Sequence, residues 1–140
     1  MVAPATDKGE TVTSELMMLA LSGALCLVLA LPYTTGLMLK LGLPVLAGNR
    51  ENFPVVEGWI GRAKRAHLNM VENLVPFAAL VLAAAALNKL GPLTALGAQL
   101  FFWGRLAHAV AYIAGIAYAR TAAFLVAYAG MALILVAIVR

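Results

Sequence analysis

Residues 61–77 read GRAKRAHLNMVENLVPF and run without a break into AALVLAAAALN at residues 78–88. The second half has the composition of a membrane helix, while the first half carries Arg65, His67, Asn69, Glu72 and Asn73. Together the halves exceed the roughly 20 residues of helix that cross a hydrocarbon core of about 30 Å. Polar groups at such depth need partners, and the rest of the chain has to supply them.

The rest of the chain is consistent with a membrane setting. Of its 140 residues, 64% are hydrophobic and only 11% charged, against about half and a quarter in soluble domains. The apolar excess falls in four blocks, residues 16–39, 74–87 with the polar prefix, 93–118 and 121–139. Short connections join the later blocks, which predicts an all-α, integral membrane four-helix bundle running up-down-up-down. One domain is expected over residues 1–140, with spans at about 15–40, 62–88, 93–118 and 120–139 and a short N-terminal tail, 1–14. The first block is read as a retained span, because Asp7, Lys8, Glu10 and Glu15 make its flank net acidic and its apolar run is too long for a signal peptide.

Cys26 is the only cysteine, so no intrachain disulfide forms, and its apolar surroundings make it a packing residue. The sequence pI near 9.6 does not point to nucleic acid, since the basic residues flank spans instead of forming a patch. Lys40, Arg50, Arg62, Lys64, Arg65 and Arg120 gather at the first and third connections, with Lys8, Lys89 and Arg140 on the other side. Cytoplasmic loops keep Lys and Arg, so both termini are expected outside and the connection 40–64 in the cytoplasm. Pro44, Gly48, Asn49, Pro54, Gly58 and Gly61 break that connection into turns. Phe53 and Trp59 suit the interface, and the run Ala83 to Ala86 suits close helix packing.

Helical rise converts sequence into depth. At 1.5 Å per residue from Asn88, Pro76 lies about 18 Å in, Asn73 about 22 Å, Glu72 about 24 Å and Asn69 about 28 Å. Counted from Leu93, Arg105 lies at about 18 Å, His108 at about 22 Å and Tyr112 at about 28 Å. These levels set Arg105 against Pro76, His108 against Asn73 and Tyr112 against Asn69, with Arg120 closing the layer. Arg65, Asn69, Glu72 and Pro76 step by four, three and four, and Arg105, His108 and Tyr112 by three and four, so each set marks one helix face. A purely structural reading pairs Glu72 with Arg105 or Arg65 and lets the Asn side chains bond between helices. The cations outnumber the anions, however, and surplus positive charge around one Glu invites an anionic ligand. Pro76 and Pro32 are each expected to bend their helix. His67 and His108 have only Glu72 as a third strong ligand and no nearby cysteine, so no metal is expected.

R-A-H-L-N-x-x-E-N-x-x-P-F in the second span, Gly104, Arg105, His108 and Tyr112 in the third, and an Arg opening the fourth together resemble the MAPEG superfamily, the membrane-associated proteins in eicosanoid and glutathione metabolism. The likeness covers nearly all the chain after Leu16, and the first loop looks most like the bacterial branch, which implies a bacterial inner membrane. The resemblance implies a homotrimer with glutathione held between neighbouring subunits and an apolar co-substrate entering from the lipid. It assigns ligand binding to Arg65, His67, Asn69, Glu72, Asn73, Arg105, His108 and Tyr112, and assistance to the thiol to Arg120 and Thr121. Physical chemistry agrees, since glutathione offers two carboxylates and one ammonium to several Arg forks and one carboxylate. A guanidinium beside the thiol favours the thiolate. Two departures stand out. Leu68 occupies a position where the prostaglandin E synthase branch carries Arg, and the first span lacks the inward Arg of several members, leaving only Lys40 near that place.

Three functions compete at this point. The leading one is a glutathione-dependent transferase or peroxidase acting on apolar electrophiles or lipid hydroperoxides, and the alternative is a non-catalytic lipid-binding or scaffold protein using the same inter-helix cavity. Ion conduction has little support, because residues 81–87 and 93–96 are almost wholly apolar.

Overall fold

The computed structural model describes residues 13–49 and 53–140; Asp7, Lys8 and Glu10 of the expected tail, and the loop cation Arg50, lie outside the described residues. Its elements are α1 (Ser14–Leu41), the short α2 (Leu43–Ala47), α3 (Gly58–Ala86), α4 (Pro92–Ala114) and α5 (Ala117–Val139). Among the described residues there is no strand. Helices α1, α3 and α5 are long and apolar enough to cross a membrane. α4 matches α5 in length at 23 residues, but Gln99, Arg105 and His108 dilute its apolar run, and it has the highest share of buried residues among the long helices.

Local chemistry fixes the helix ends. Gly91 precedes Pro92, whose preset φ suits the first helical position, and the Gly91 N–H donates to Thr94 Oγ1. α4 stops at Ala114 instead of reaching Tyr118, because Gly115 takes a left-handed conformation (φ 85°) that ends the helix. α5 therefore opens at Ala117 and carries Tyr118 and Arg120 in its first turns. At the other boundary α3 begins at Gly58, so Gly61 lies inside the helix and makes no turn. Its missing side chain has a different use: a Cβ there would collide with the backbone carbonyl of Val56, so glycine lets the loop lie directly on α3. Helices α1 and α3 continue through Pro32 and Pro76.

Successive long helices run antiparallel, as the cross-contacts show. Gly36 of α1 meets Trp59 and Ile60 of α3, while Cys26 meets His67 further along. From α3 to α4, Arg62 reaches Ile113, Asn69 reaches Arg105 and Phe77 stacks on Phe101, a descending series. α4 packs on α1, α3 and α5, whereas among the described residues α1 and α5 do not meet. The core is built from Met70, Phe77, Val81, Phe101 and Ile134, all fully buried, with the two phenylalanine rings stacked at 3.8 Å.

The tightest backbone approach between helices involves glycines and not the alanine run of α3. Along the α4/α5 seam, a Cβ on Gly97 would meet the Gly130 carbonyl and Ile134, and one on Gly104 would lie 2.8 Å from the Ala127 nitrogen. Small residues allow such backbone approach, and in lipid this packing replaces the hydrophobic drive available in water. Close to Gly97, buried Glu15 accepts a hydrogen bond from the hydroxyl of Thr94, tying the start of α1 to the start of α4.

Candidate functional site

Arg105 is the centre of the site. It is the largest fully buried side chain, 1% exposed, and its Nη2 donates to Asn69 Oδ1 at 2.7 Å. One turn on, the Asn73 side-chain amide donates to the backbone carbonyl of Asn69 at 2.8 Å. Among the described residues, the buried Nε and Nη1 of Arg105 have no hydrogen-bond partner, and the same holds for Nδ1 of His108, 3% exposed. Buried polar groups are nearly always paired, and an intramembrane guanidinium more stringently so. Unused buried donors are able to take up an acceptor, and a cationic fork favours an anionic one.

Beside it runs a row of rings. His108 meets Tyr112 edge-on at 5.4 Å and lies 6.2 Å from Phe124, which stacks on Tyr128 at 5.8 Å. Arg120 lies over the Tyr112 ring, 4.8 Å from its centre, a cation–π contact that holds the guanidinium at the end of the row. Phe124 and Tyr128 were not anticipated as neighbours of the site. Their spacing of four and eight residues from Arg120 puts all three on one helix face, and that signal was available.

The other expected residues divide. His67 is half-buried between α1 and α3, donating from Nδ1 to the Cys26 carbonyl at 3.1 Å with Tyr33 alongside. It joins helices and is not part of the Arg105 cluster. Arg65 is exposed, and its Nη1 folds back to within 3.5 Å of where a Cβ on Gly61 would stand. Glu72 is exposed within the span and, among the described residues, makes no ion pair or hydrogen bond; it lies within electrostatic reach of Arg105. The structural pairing of Glu72 with Arg105 or Arg65 is thus replaced by Arg105 with Asn69. The level series shifts too, since Arg105 reaches toward Asn69 and not Pro76. Thr121 is exposed, and its hydroxyl donates to the Ala117 carbonyl one turn back.

Next to this cluster lies a cavity of about 240 Å³ between α3 and α5, lined by Asn73, Pro76, Leu80, Tyr128, Met131, Ala132 and Leu135. It is apolar except at the Asn73 and Tyr128 end. At the loop end of the bundle, Arg62 Nε donates to the Ile113 carbonyl at 2.9 Å, which places a cation on the carbonyl end of α4.

Helices of spanning length, with a buried guanidinium between them, define an integral membrane protein carrying an intramembrane polar cluster. The chain belongs to the MAPEG family, whose model matches residues 14–140, nearly its whole length. That membership gives it a role, in general terms, among the membrane proteins of glutathione and eicosanoid metabolism. No curated protein and no solved structure matches the chain.

Proposed function

We propose that the chain is a glutathione-dependent membrane transferase or peroxidase that activates the thiol for attack on apolar electrophiles or lipid hydroperoxides. The observation that carries this reading is the pair of unused donors on buried Arg105 beside the unused Nδ1 of His108. A carboxylate of glutathione meets the Arg105 fork, with Asn69 holding the guanidinium in place, and Tyr112 and His108 form the adjoining wall. Arg120, held over Tyr112, supplies positive charge that favours the thiolate, and Thr121 offers a hydroxyl after a change of rotamer. In the transferase reaction the thiolate sulfur forms a bond to the electrophilic carbon, the leaving group departs with its electron pair, and the thiol proton passes to solvent. In the peroxidase reaction two glutathione molecules are oxidised to the disulfide, while the hydroperoxide is reduced to an alcohol and water.

The proposal includes assembly. Arg65, Leu68, Glu72, Pro76 and Ala79 share the exposed face of α3. An ionised Glu72 facing lipid costs about 2.5–3.5 kcal/mol near a span centre, a cost removed when a neighbouring copy covers it. We read the assembly as a homotrimer of four-span protomers in a bacterial inner membrane, both termini outside, with Glu72 presented to the site from between copies.

The test is thermal unfolding of the detergent-purified protein with millimolar glutathione, beside a thiol that lacks both carboxylates. Glutathione alone raises the melting temperature, and Arg105→Lys and Arg120→Ala reduce the rise. No rise with wild-type protein overturns the reading. One observation favours the alternative of a non-catalytic lipid-binding or scaffold protein: the Thr121 hydroxyl is bonded to its own helix. Ligand binding without conjugation of a chloronitrobenzene electrophile decides for that alternative.

A further inference from the structure

Two polar side chains on one face of α3 reach across to α4. Asn69 meets Arg105. Arg62, two helical turns earlier on the same face, is half-buried and donates from Nε to the Ile113 carbonyl at 2.9 Å. The ties are about 10 Å apart along α3 and about 12 Å apart along α4 at 1.5 Å per residue, and they bracket the turns that carry His108 and Tyr112. A single tie sets the level of two antiparallel helices; a second also sets their tilt.

The Arg62 tie falls where α4 ends. The last carbonyls of a helix have no partner within it, and here the N–H groups of Gly115 and Ile116 take those of Ala111 and Tyr112. Ile113 is served by Arg62. The guanidinium also packs on Gly115, where a Cβ would stand 3.4 Å from Nε and 3.5 Å from Cζ. Left-handed Gly115 turns the chain toward α5, and the next carbonyl, that of Ile116, accepts from the Arg120 N–H at 3.0 Å. Arg120 therefore hangs from the turn that Arg62 grips, with its guanidinium over the ring of Tyr112, the neighbour of Ile113.

We infer that Arg62 is a positioning residue for the thiol: it holds the turn between α4 and α5 so that Arg120 keeps its place over Tyr112. This role rests on the glutathione reading above, and Arg62 acts through the turn and not on the ligand. Coulomb attraction falls with distance, so a released turn weakens the effect of Arg120 on the thiolate without removing its charge. An ordinary helix cap would add stability and leave the thiol unaffected.

Arg62→Met keeps the apolar stem and removes the donor, whereas Arg62→Lys restores a donor and a charge. Three measurements on the full-length detergent-purified protein separate the roles. In hydrogen exchange without ligand, Arg62→Met is expected to exchange faster at residues 115–121, with Arg62→Lys protected. By ultraviolet thiolate absorbance, the midpoint of bound glutathione is expected to rise by about one pH unit in Arg62→Met, leaving about tenfold less thiolate at a fixed pH below both midpoints, with Arg62→Lys close to wild type. The glutathione concentration that half-saturates the melting shift is expected to stay as in wild type. Unchanged exchange in Arg62→Met, or faster exchange with an unchanged midpoint, overturns the inference and leaves Arg62 a helix cap. Loss of glutathione affinity makes Arg62 a ligand contact and also overturns it. A wild-type protein that gives no melting response is a separate result, which overturns the glutathione reading and this role with it. Gly115→Asn tolerates the left-handed turn but sets a Cβ against Arg62; it disturbs the grip from the other side and is read in the same way where Arg62→Met does not fold.

Discussion

Arg105 on α4 and Asn69 on α3, 36 residues apart in sequence, meet in a single 2.7 Å hydrogen bond between side chains inside the helical bundle. The amide oxygen is the one acceptor that the described residues offer this guanidinium. It orients the fork while leaving Nε and Nη1 for something else.

Asn69→Ala therefore removes the group that holds a buried charge. A hydrogen bond to a charged partner is worth about 1.5–3 kcal/mol, so the variant is expected to melt several degrees lower in detergent and to bind glutathione more weakly. Asn69→Asp, which keeps an acceptor and adds a carboxylate, should recover stability yet still lose affinity for an anionic ligand. Equal binding by all three proteins would disconnect Asn69 from the site.

The α4/α5 seam predicts a contrast between glycines. Gly104→Ala places a methyl 2.8 Å from the Ala127 nitrogen, and overpacking of this kind costs about 1–3 kcal/mol. Gly23→Ala meets nothing within 4 Å and should be neutral or gain up to about 1 kcal/mol of helix propensity. The melting temperature should fall for the Gly104 variant and hold or rise for the Gly23 variant.

Glu15 and Thr94 form a buried pair whose members are expected to be unequal in their effects. Thr94→Val leaves the Glu15 carboxylate without its donor and removes the acceptor of the Gly91 N–H, a loss of about 1–3 kcal/mol. Glu15→Leu in the Thr94→Val background should restore part of it, because an apolar pair needs no hydrogen bond. A double-mutant cycle on thermal unfolding measures the coupling, and a value near zero would mean that the contact adds nothing to stability.

Glu72 is predicted to matter between copies. If a neighbouring chain supplies its counter-charge, Glu72→Gln shifts sedimentation in mild detergent toward smaller species while helix content by circular dichroism stays the same. A distribution identical to wild type would remove Glu72 from the interface.

Much of the fold was readable from composition and spacing. The apolar blocks marked the helices to within a few residues, and Gly91, Pro92 and Gly115 carry the chemistry that ends or starts them. The connection 40–64 was less legible: Gly61 looked like a turn because local propensity cannot show that its missing side chain serves a loop pressed on a helix. The polar stripe put Asn69 on one helix and Arg105, His108 and Tyr112 on the next, and the fold brings Asn69 to Arg105. It could not show that His67 turns to the Cys26 carbonyl, or that Arg65 folds away over Gly61, since a helical wheel gives the direction of a Cβ and not the course of a long side chain.

Periodicity and hydropathy by themselves determined that the chain is helical, that it is a membrane protein and that unusual polar groups lie deep within it, because these properties depend only on the order of side chains along one axis. Which guanidinium becomes buried, which carboxylate stays outside and which donors remain unused were decided by tertiary structure. Those outcomes depend on helix approach, set by Gly97, Gly104 and Gly130, and on the register that brings Arg105 to Asn69. Backbone distance between helices is a property of pairs of segments, and no single stretch of sequence contains it.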